Sequence, residues 1–385
     1  MQEIDKNNLN NLSLEEQIAL EVKALSEDEQ IEKGLIAYLQ GRIIEADVRL
    51  DLLVRASENP VSAYLLSYLK YDPYEKTKSV PDGNKLSRRA RDLSHKNRAM
   101  SENSFAIIFP IIKEYVDNEN PKAQSLLGTL YGDRHCAGID SCQAVELFLK
   151  AAEQGDSQAQ YHLGHVYYLG LGVQQDEEKA FKWYLKAAEQ GEARAQEGLG
   201  KLYECSETIG QDHFKAFTWY KLAAEQGLWT AQTKLGQMYE NGEGIPRDYR
   251  KTAEWYMEAA KNGHLQSQFD LGQMYFEGRG VPKDDAKAVK WWRCAAERGH
   301  HEAQLSLGKI YEEEGQGVDQ NYSESYYWFY LALLEGDRGK ILQKKIDFFE
   351  ENNFLTDAEI VSLHRKALLK QEELYGPRCT YIRRV

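Results

Sequence analysis

SQAQYHLGHVYYLGLGVQQDEEKAFKWYLKAAEQG, residues 157–191, is the stretch on which the reading of the whole chain turns. Ala159, Leu163 and Tyr167 fall four apart and share one face of a helix. Ala180, Tyr184, Ala187 and Ala188 follow at i, i+4, i+7 and i+8 and mark a second helix. Between them Gly170, Gly172 and Val173 make a G-x-G-V break, and Asp176 stands where an acidic side chain satisfies the free N–H groups of a helix start. The closing Gly191 after AAEQ suits a left-handed helix end. Gly164 lies inside the first helix, where glycine costs about 1 kcal/mol against alanine. Close approach of the partner helix is its expected reason.

The same unit recurs outward from this stretch. Gly128, Gly164, Gly200, Gly236, Gly272 and Gly308 stand 36 residues apart, each followed by Tyr131, Tyr167, Tyr203, Tyr239, Tyr275 or Tyr311 three residues later. A second glycine closes each unit at Gly155, Gly191, Gly227, Gly263, Gly299 and Gly336, and the last interval of 37 places one inserted residue near Glu314. The loop glycines return as Gly242 and Gly244 before Ile245, Gly278 and Gly280 before Val281, and Gly315 and Gly317 before Val318. Asp248 and Asp284 repeat the role of Asp176. A fixed period of this length belongs to solenoids. The expected fold is therefore all-α: a right-handed α/α superhelix of antiparallel helix pairs, with no strand, because no apolar run of period two is present.

The consensus A-x-x-x-L-G-x-x-Y-x-x-G-x-G-V-x-x-D-x-x-K-A-x-x-W-x-x-x-A-A-E-x-G closely resembles the Sel-one-like repeat, a subclass of the tetratricopeptide-like superfamily. Trp183, Trp219, Trp255, Trp291 and Trp328 stand at its second-helix tryptophan position. The first unit departs from it, with Leu147 at that position and Arg134 and Cys136 where loop glycines belong; the third carries Ser206 and Thr208 at those glycine positions. The third loop is expected to differ while its helices persist.

This frames four segments: a divergent N-terminal helical array over 1–120, six repeats over 121–337, C-terminal capping helices over 338–376, and a short basic tail over 377–385. In the first, Ser13 with Glu16 and Ser26 with Glu29 fit capping boxes. Gly41 and Pro60 punctuate apolar groups at Leu35, Tyr38 and Leu39, at Leu50, Leu53 and Val54, and at Leu65, Leu66 and Leu69. Near the other end Leu355, Ala358, Ile360, Leu363 and Ala367 are assigned to a final helix capped by Thr356.

A net charge of −13 argues against phosphate backbones as general partners. The basic run Lys76, Lys78, Lys85, Arg88, Arg89, Arg91, Lys96 and Arg98 is read as a solvated stretch, since Tyr71 and Tyr74 precede it instead of interleaving. No window is long and apolar enough for a membrane span, and the opening residues lack the apolar core of a signal peptide, so a cytoplasmic protein is expected. Five irregularly spaced cysteines, Cys136, Cys142, Cys205, Cys294 and Cys379, are expected to be reduced thiols.

No catalytic site, cofactor or metal is expected. Ser306 and Lys309 fit S-x-x-K, the nucleophile pattern of penicillin-recognising enzymes, but Gly308 between them is the repeat glycine, and S-D-N and K-T-G are absent. His135, Cys136 and Cys142 lack zinc-site spacing. Trp291 and Trp292 are read as one core residue and one flanking residue.

Function is then expected on the concave groove lined by the first helices, at the positions that vary between units. These are Tyr161, His165 and Tyr168; Glu197, Lys201 and Glu204; Thr233, Gln237 and Glu240; Phe269, Gln273 and Phe276; and Leu305, Lys309 and Glu312. Aromatic anchors and acids suit a protein partner carrying basic residues. The resemblance allows a regulatory scaffold, an immunity protein that neutralises a cognate toxin, or a secreted effector, with a penicillin-binding hydrolase as the rival from another class.

Overall fold

The computed structural model describes residues 25–42, 102–132, 141–313, 317–335 and 339–375, with isolated positions from 18 to 65. Arg134, His135, Cys136, Gly315, Gly336, the basic run over 76–98 and the tail over 377–385 lie outside the described residues. Among those described the structure is all-α, with helices, turns and no strand beyond a one-residue bridge at Val318.

The chain divides into two compact units, Met1–Leu228 and Trp229–Val385. The first holds α1 (Glu27–Leu39) and α2 (Glu102–Asp117). Three helix pairs follow: α3 (Pro121–Gly132) with α4 (Ser141–Glu153), α5 (Ser157–Leu169) with α6 (Glu177–Glu189), and α7 (Ala193–Cys205) with α8 (His213–Glu225). The second unit holds α9 (Trp229–Asn241) with α10 (Tyr249–Lys261), α11 (Leu265–Glu277) with α12 (Asp285–Ala296), and α13 (His301–Glu312) with α14 (Tyr322–Glu335). Then α15 (Gly339–Glu351) and α16 (Asp357–Tyr375) pack on α14.

The first-helix glycine is a notch for an aromatic ring. A Cβ built on Gly164 would stand 2.6 Å from the Tyr184 ring, and one on Gly236 would stand 2.4 Å from that of Tyr256. Phe148, Tyr220, Trp292 and Phe329 fill the notches at Gly128, Gly200, Gly272 and Gly308. The ring belongs to the residue after the tryptophan position: Tyr184, Tyr220 and Tyr256 are buried while Trp183, Trp219 and Trp255 are half-buried. Of the adjacent tryptophans, Trp292 is the core residue and Trp291 flanks it.

Helix starts behave as the residue types dictate. Asp176, Asp248 and Asp284 accept from Lys179, Lys251 and Lys287 N–H at 2.8–3.1 Å, and Asp212 accepts from Lys215 in the same way at 2.9 Å. Those backbone bonds hold the carboxyls of Asp176, Asp212 and Asp284 below their ordinary range. Reciprocal boxes form at Ser26 with Glu29 and at Thr356 with Glu359.

A series of amides closes each repeat on itself and ties it to the one before. Gln190, Gln226 and Asn262 donate to Gln160, Gln196 and Gln232 at 2.7–3.1 Å. Gln160 and Gln196 in turn donate to the Ala152 and Ala188 carbonyls. At the next step Arg298 replaces the amide and donates to the Gly263 carbonyl. The Gln268 side-chain oxygen is there buried with no hydrogen-bond partner among the described residues.

Near the ends, Leu35, Tyr38, Leu39, Leu50, Leu53 and Leu65 are buried as expected. One assignment to the final helix is corrected, and one residue on it is not in the core. Leu355 precedes α16 and packs under it with Phe349 and Ile346, and Ala358 is exposed because it lies on the side of α16 turned away from Ala367.

Candidate partner-binding face

In each first helix the third, fourth, seventh, eighth and tenth residues are buried; in α5 these are Ala159, Gln160, Leu163, Gly164 and Val166. The fifth, ninth and twelfth are spaced i, i+4 and i+7, so they form one stripe beside the buried face.

In the first unit the stripe consists of Tyr161, His165 and Tyr168 on α5 and Glu197, Lys201 and Glu204 on α7, all half-buried except the exposed Lys201. Cations lie over its tyrosines: the Arg194 guanidinium is 4.5 Å from the Tyr161 ring centre and the Lys201 ammonium 5.1 Å from that of Tyr168. His165 tilts against Tyr161, and His162 stacks on Phe148 at 4.9 Å. Burial, with the Arg194 charge nearby, lowers both imidazole pKa values and favours their neutral forms. Glu204 accepts a 2.6 Å hydrogen bond from the Tyr220 hydroxyl; burial and this bond push that phenol's pKa up.

In the second unit Thr233 is not on the surface. It is buried, and its hydroxyl meets the Trp229 carbonyl, His264 and Ser267, because its short side chain turns into the seam between α9 and α11. Gln237 is half-buried. Glu240 accepts from the Tyr256 hydroxyl at 2.8 Å and pairs with Arg279 at 3.2 Å. Phe269 stacks on His300, Gln273 donates to Glu277, and the exposed Phe276 rests against Trp292 with Lys283 over its ring. Leu305 packs with the closing helices, Lys309 is exposed, and Glu312 pairs with Lys345. Asp270, beside this stripe, has its carboxyl pushed up to about 6, by burial first and then by the charge of Glu240.

Six consecutive stretches, 121–156, 157–192, 193–228, 229–264, 265–300 and 301–337, match the Sel1 repeat. The chain belongs to the Sel1 repeat family. It superposes on a Sel1 repeat protein from Oxalobacter formigenes with a TM-score of 0.52 and 27% identity, over 72% of this chain and 100% of that one. A protective antigen of uropathogenic Escherichia coli with an SLR fold gives 0.57 and 27%, over 94% of this chain and 72% of that one. A shorter likeness, 39% over 66 residues, links it to the DAP3-binding cell death enhancer 1 of Rattus norvegicus. That alignment takes in 17% of this chain and 13% of the rat protein.

Sel1 repeats mediate protein–protein interaction, and the stripe offers what such contact uses: aromatic rings, amides and charges. Among the described residues no cluster of His, Cys, Asp or Glu could hold a metal ion, and no helix is long and apolar enough to cross a membrane. Ser306 is half-buried on α13, and the intervening Gly308 packs on Phe329 as every repeat glycine packs on its ring. Arg194, Arg279 and Asp270 were not among the sequence-predicted contacts. Arg194 and Asp270 stand next to the stripe in helical projection and Arg279 comes from a loop, so a rule that picks varying positions on one face passes over them.

Proposed function

We propose that this protein is a noncatalytic Sel1 repeat scaffold that binds a partner protein along its first-helix stripes. The supporting observation is the division of labour within those helices. The fourth, seventh and eighth residues from α5 through α13 are always Gln, Leu and Gly, while the ninth reads His165, Lys201, Gln237, Gln273 and Lys309. Packing is held constant and the neighbouring surface is varied, as recognition requires. Tyr161, Tyr168, Phe269 and Phe276 are its anchors. The chain's net charge of −13 suits a basic partner, and a toxin neutralised by this protein is the particular case we favour.

Affinity capture by the full chain, compared with the variant in which those four aromatics are alanine, tests this reading. Capture should be lost with helicity unchanged; capture undiminished by the four substitutions would move the binding face elsewhere. If the captured protein is toxic when expressed alone and harmless beside this chain, the immunity reading stands. If it is harmless in both cases, the general scaffold reading remains and the immunity reading is rejected.

A further inference from the structure

The residue before each first helix recurs every 36 positions as Asn120, Asp156, Glu192, Leu228, His264 and His300. Five of these six side chains accept a hydrogen bond from the backbone of the helix they precede. In the first unit the acceptors are an amide and two carboxylates. In the second both are imidazoles, and an imidazole accepts only while that nitrogen is unprotonated.

The two histidines also tie neighbouring repeats together. Nδ1 of His264 accepts from Ser267 N–H at 3.2 Å and lies 2.9 Å from the Ser267 hydroxyl and 3.1 Å from that of Thr233, while the ring stacks on Trp229 at 4.5 Å. It thus joins α9 to α11. Nδ1 of His300 accepts from Ala303 N–H at 3.2 Å, its Nε2 lies 3.2 Å from the Gln266 side-chain oxygen, and its ring stacks on Phe269 at 5.0 Å. It joins α11 to α13.

We propose that His264 and His300 make the repeat seams of the second unit acid-sensitive, protonation breaking both caps and loosening α11 and α13. Burial first, then the facing His300 and Arg298, oppose a proton on His264 and bring its pKa down to about 4. His300 is also lowered, chiefly by burial and to a lesser degree by His301, while Glu302, 3.7 Å away, pulls the other way, so His264 carries more of the effect. A histidine in the unfolded chain takes its proton near 6.5. Below that pH the unfolded state binds more protons, so stability falls as pH drops from about 6.5 toward 4. His162 in the first unit, buried against Phe148, adds an acid loss there but caps no helix.

The test compares the full chain with the double variant His264→Asn, His300→Asn, since asparagine caps a helix without titrating. Urea unfolding of both at pH 7.5 and 5.5 cancels every other titrating group. The wild-type folding equilibrium should fall about ten-fold or more beyond that of the variant over this interval, His264 alone giving about ten-fold. Side-chain nitrogen NMR of the folded wild type should place the His264 midpoint below 5.5. Equal pH dependence of the two chains overturns the proposal, as does a His264 midpoint near 6.5, a reading that holds even if the variant fails to fold.

Discussion

The notch at Gly236 and the turn after α7 both stand where the repeat uses glycine, yet the chain treats them differently. All six repeats keep the notch glycine, whereas Ser206 and Thr208 replace both loop glycines in the third repeat. In the fifth repeat Gly278 and Gly280 have φ of +72° and +75°, but Ser206 sits at φ −84° and its hydroxyl accepts from Ile209 N–H and donates to Glu177. What the two loops share is their anchor: Asp212 N–H donates to the Tyr203 carbonyl at 2.8 Å and Asp284 N–H to that of Tyr275 at 2.9 Å. A turn between fixed ends has several backbone solutions. A ring lying flat on a helix has one, because any Cβ occupies its space.

The largest effect should come from Gly236→Leu, which drives a side chain into the Tyr256 ring and should cost about 3 kcal/mol in urea unfolding. An unchanged melting temperature would erase the distinction between notch and turn. Gly280→Ala comes next at about 2 kcal/mol, since its Cβ would stand 2.1 Å from the Tyr249 carbonyl oxygen on a backbone of positive φ. Gly210→Ala, in the refolded third loop, meets nothing within 4 Å and keeps only the cost of its φ of +88°, about 1 kcal/mol. If calorimetry ranks Gly210 above Gly280, contact is not what separates the loops. The smallest and most even effect belongs to the caps: Asp212→Ala and Asp284→Ala should lower the melting temperature by similar small amounts at pH 7. Both carboxyls are held below their ordinary range, so their contribution is present above the normal carboxylate pKa and fades as pH falls through the lowered value. The two losses should converge on zero in strong acid; a loss that persists there assigns the effect to packing.

Much of the fold that depends on spacing along one helix could be read from the sequence: the pairs, the Asp176 series, the box at Ser26, the cap at Thr356, and the closing glycines from Gly155 to Gly299. What escaped reading depends on contacts between helices. The tryptophans drew attention as the repeat's largest side chains, yet the notch ring is the next residue, whose identity changes from Phe148 to Tyr184 to Trp292. The acids expected to meet a partner already have internal partners, Glu204 with Tyr220, Glu240 with Tyr256 and Arg279, and Glu312 with Lys345. A signal was present in part: Glu204 and Glu240 each stand 16 residues before a notch tyrosine, while Glu312 has Phe329 instead and takes its cation from α15. Of the expected contacts, Lys201, Lys309 and Phe276 are exposed, while Tyr161, Tyr168 and Phe269 are half-buried beside them.

The amide series sets rules for how such an array can be lengthened. A copy of residues 157–192 spliced in after Glu192 would keep its Gln190–Gln160 bond to itself and donate from its Gln160 to the Ala188 carbonyl ahead of it, while Gln196 would take the copy's own Ala188 carbonyl, so the new module would click into register without any redesign of its flanks. The same coupling runs on through the repeat that holds Arg298, where Gln268 and Gln304 donate to the Ala260 and Ala296 carbonyls; what changes there is the bond inside the repeat, with the guanidinium given to Gly263 and the Gln268 oxygen left over. The fitting by which one module takes the next is thus the same at these four seams, and a repeat can differ inside without losing its place in the row.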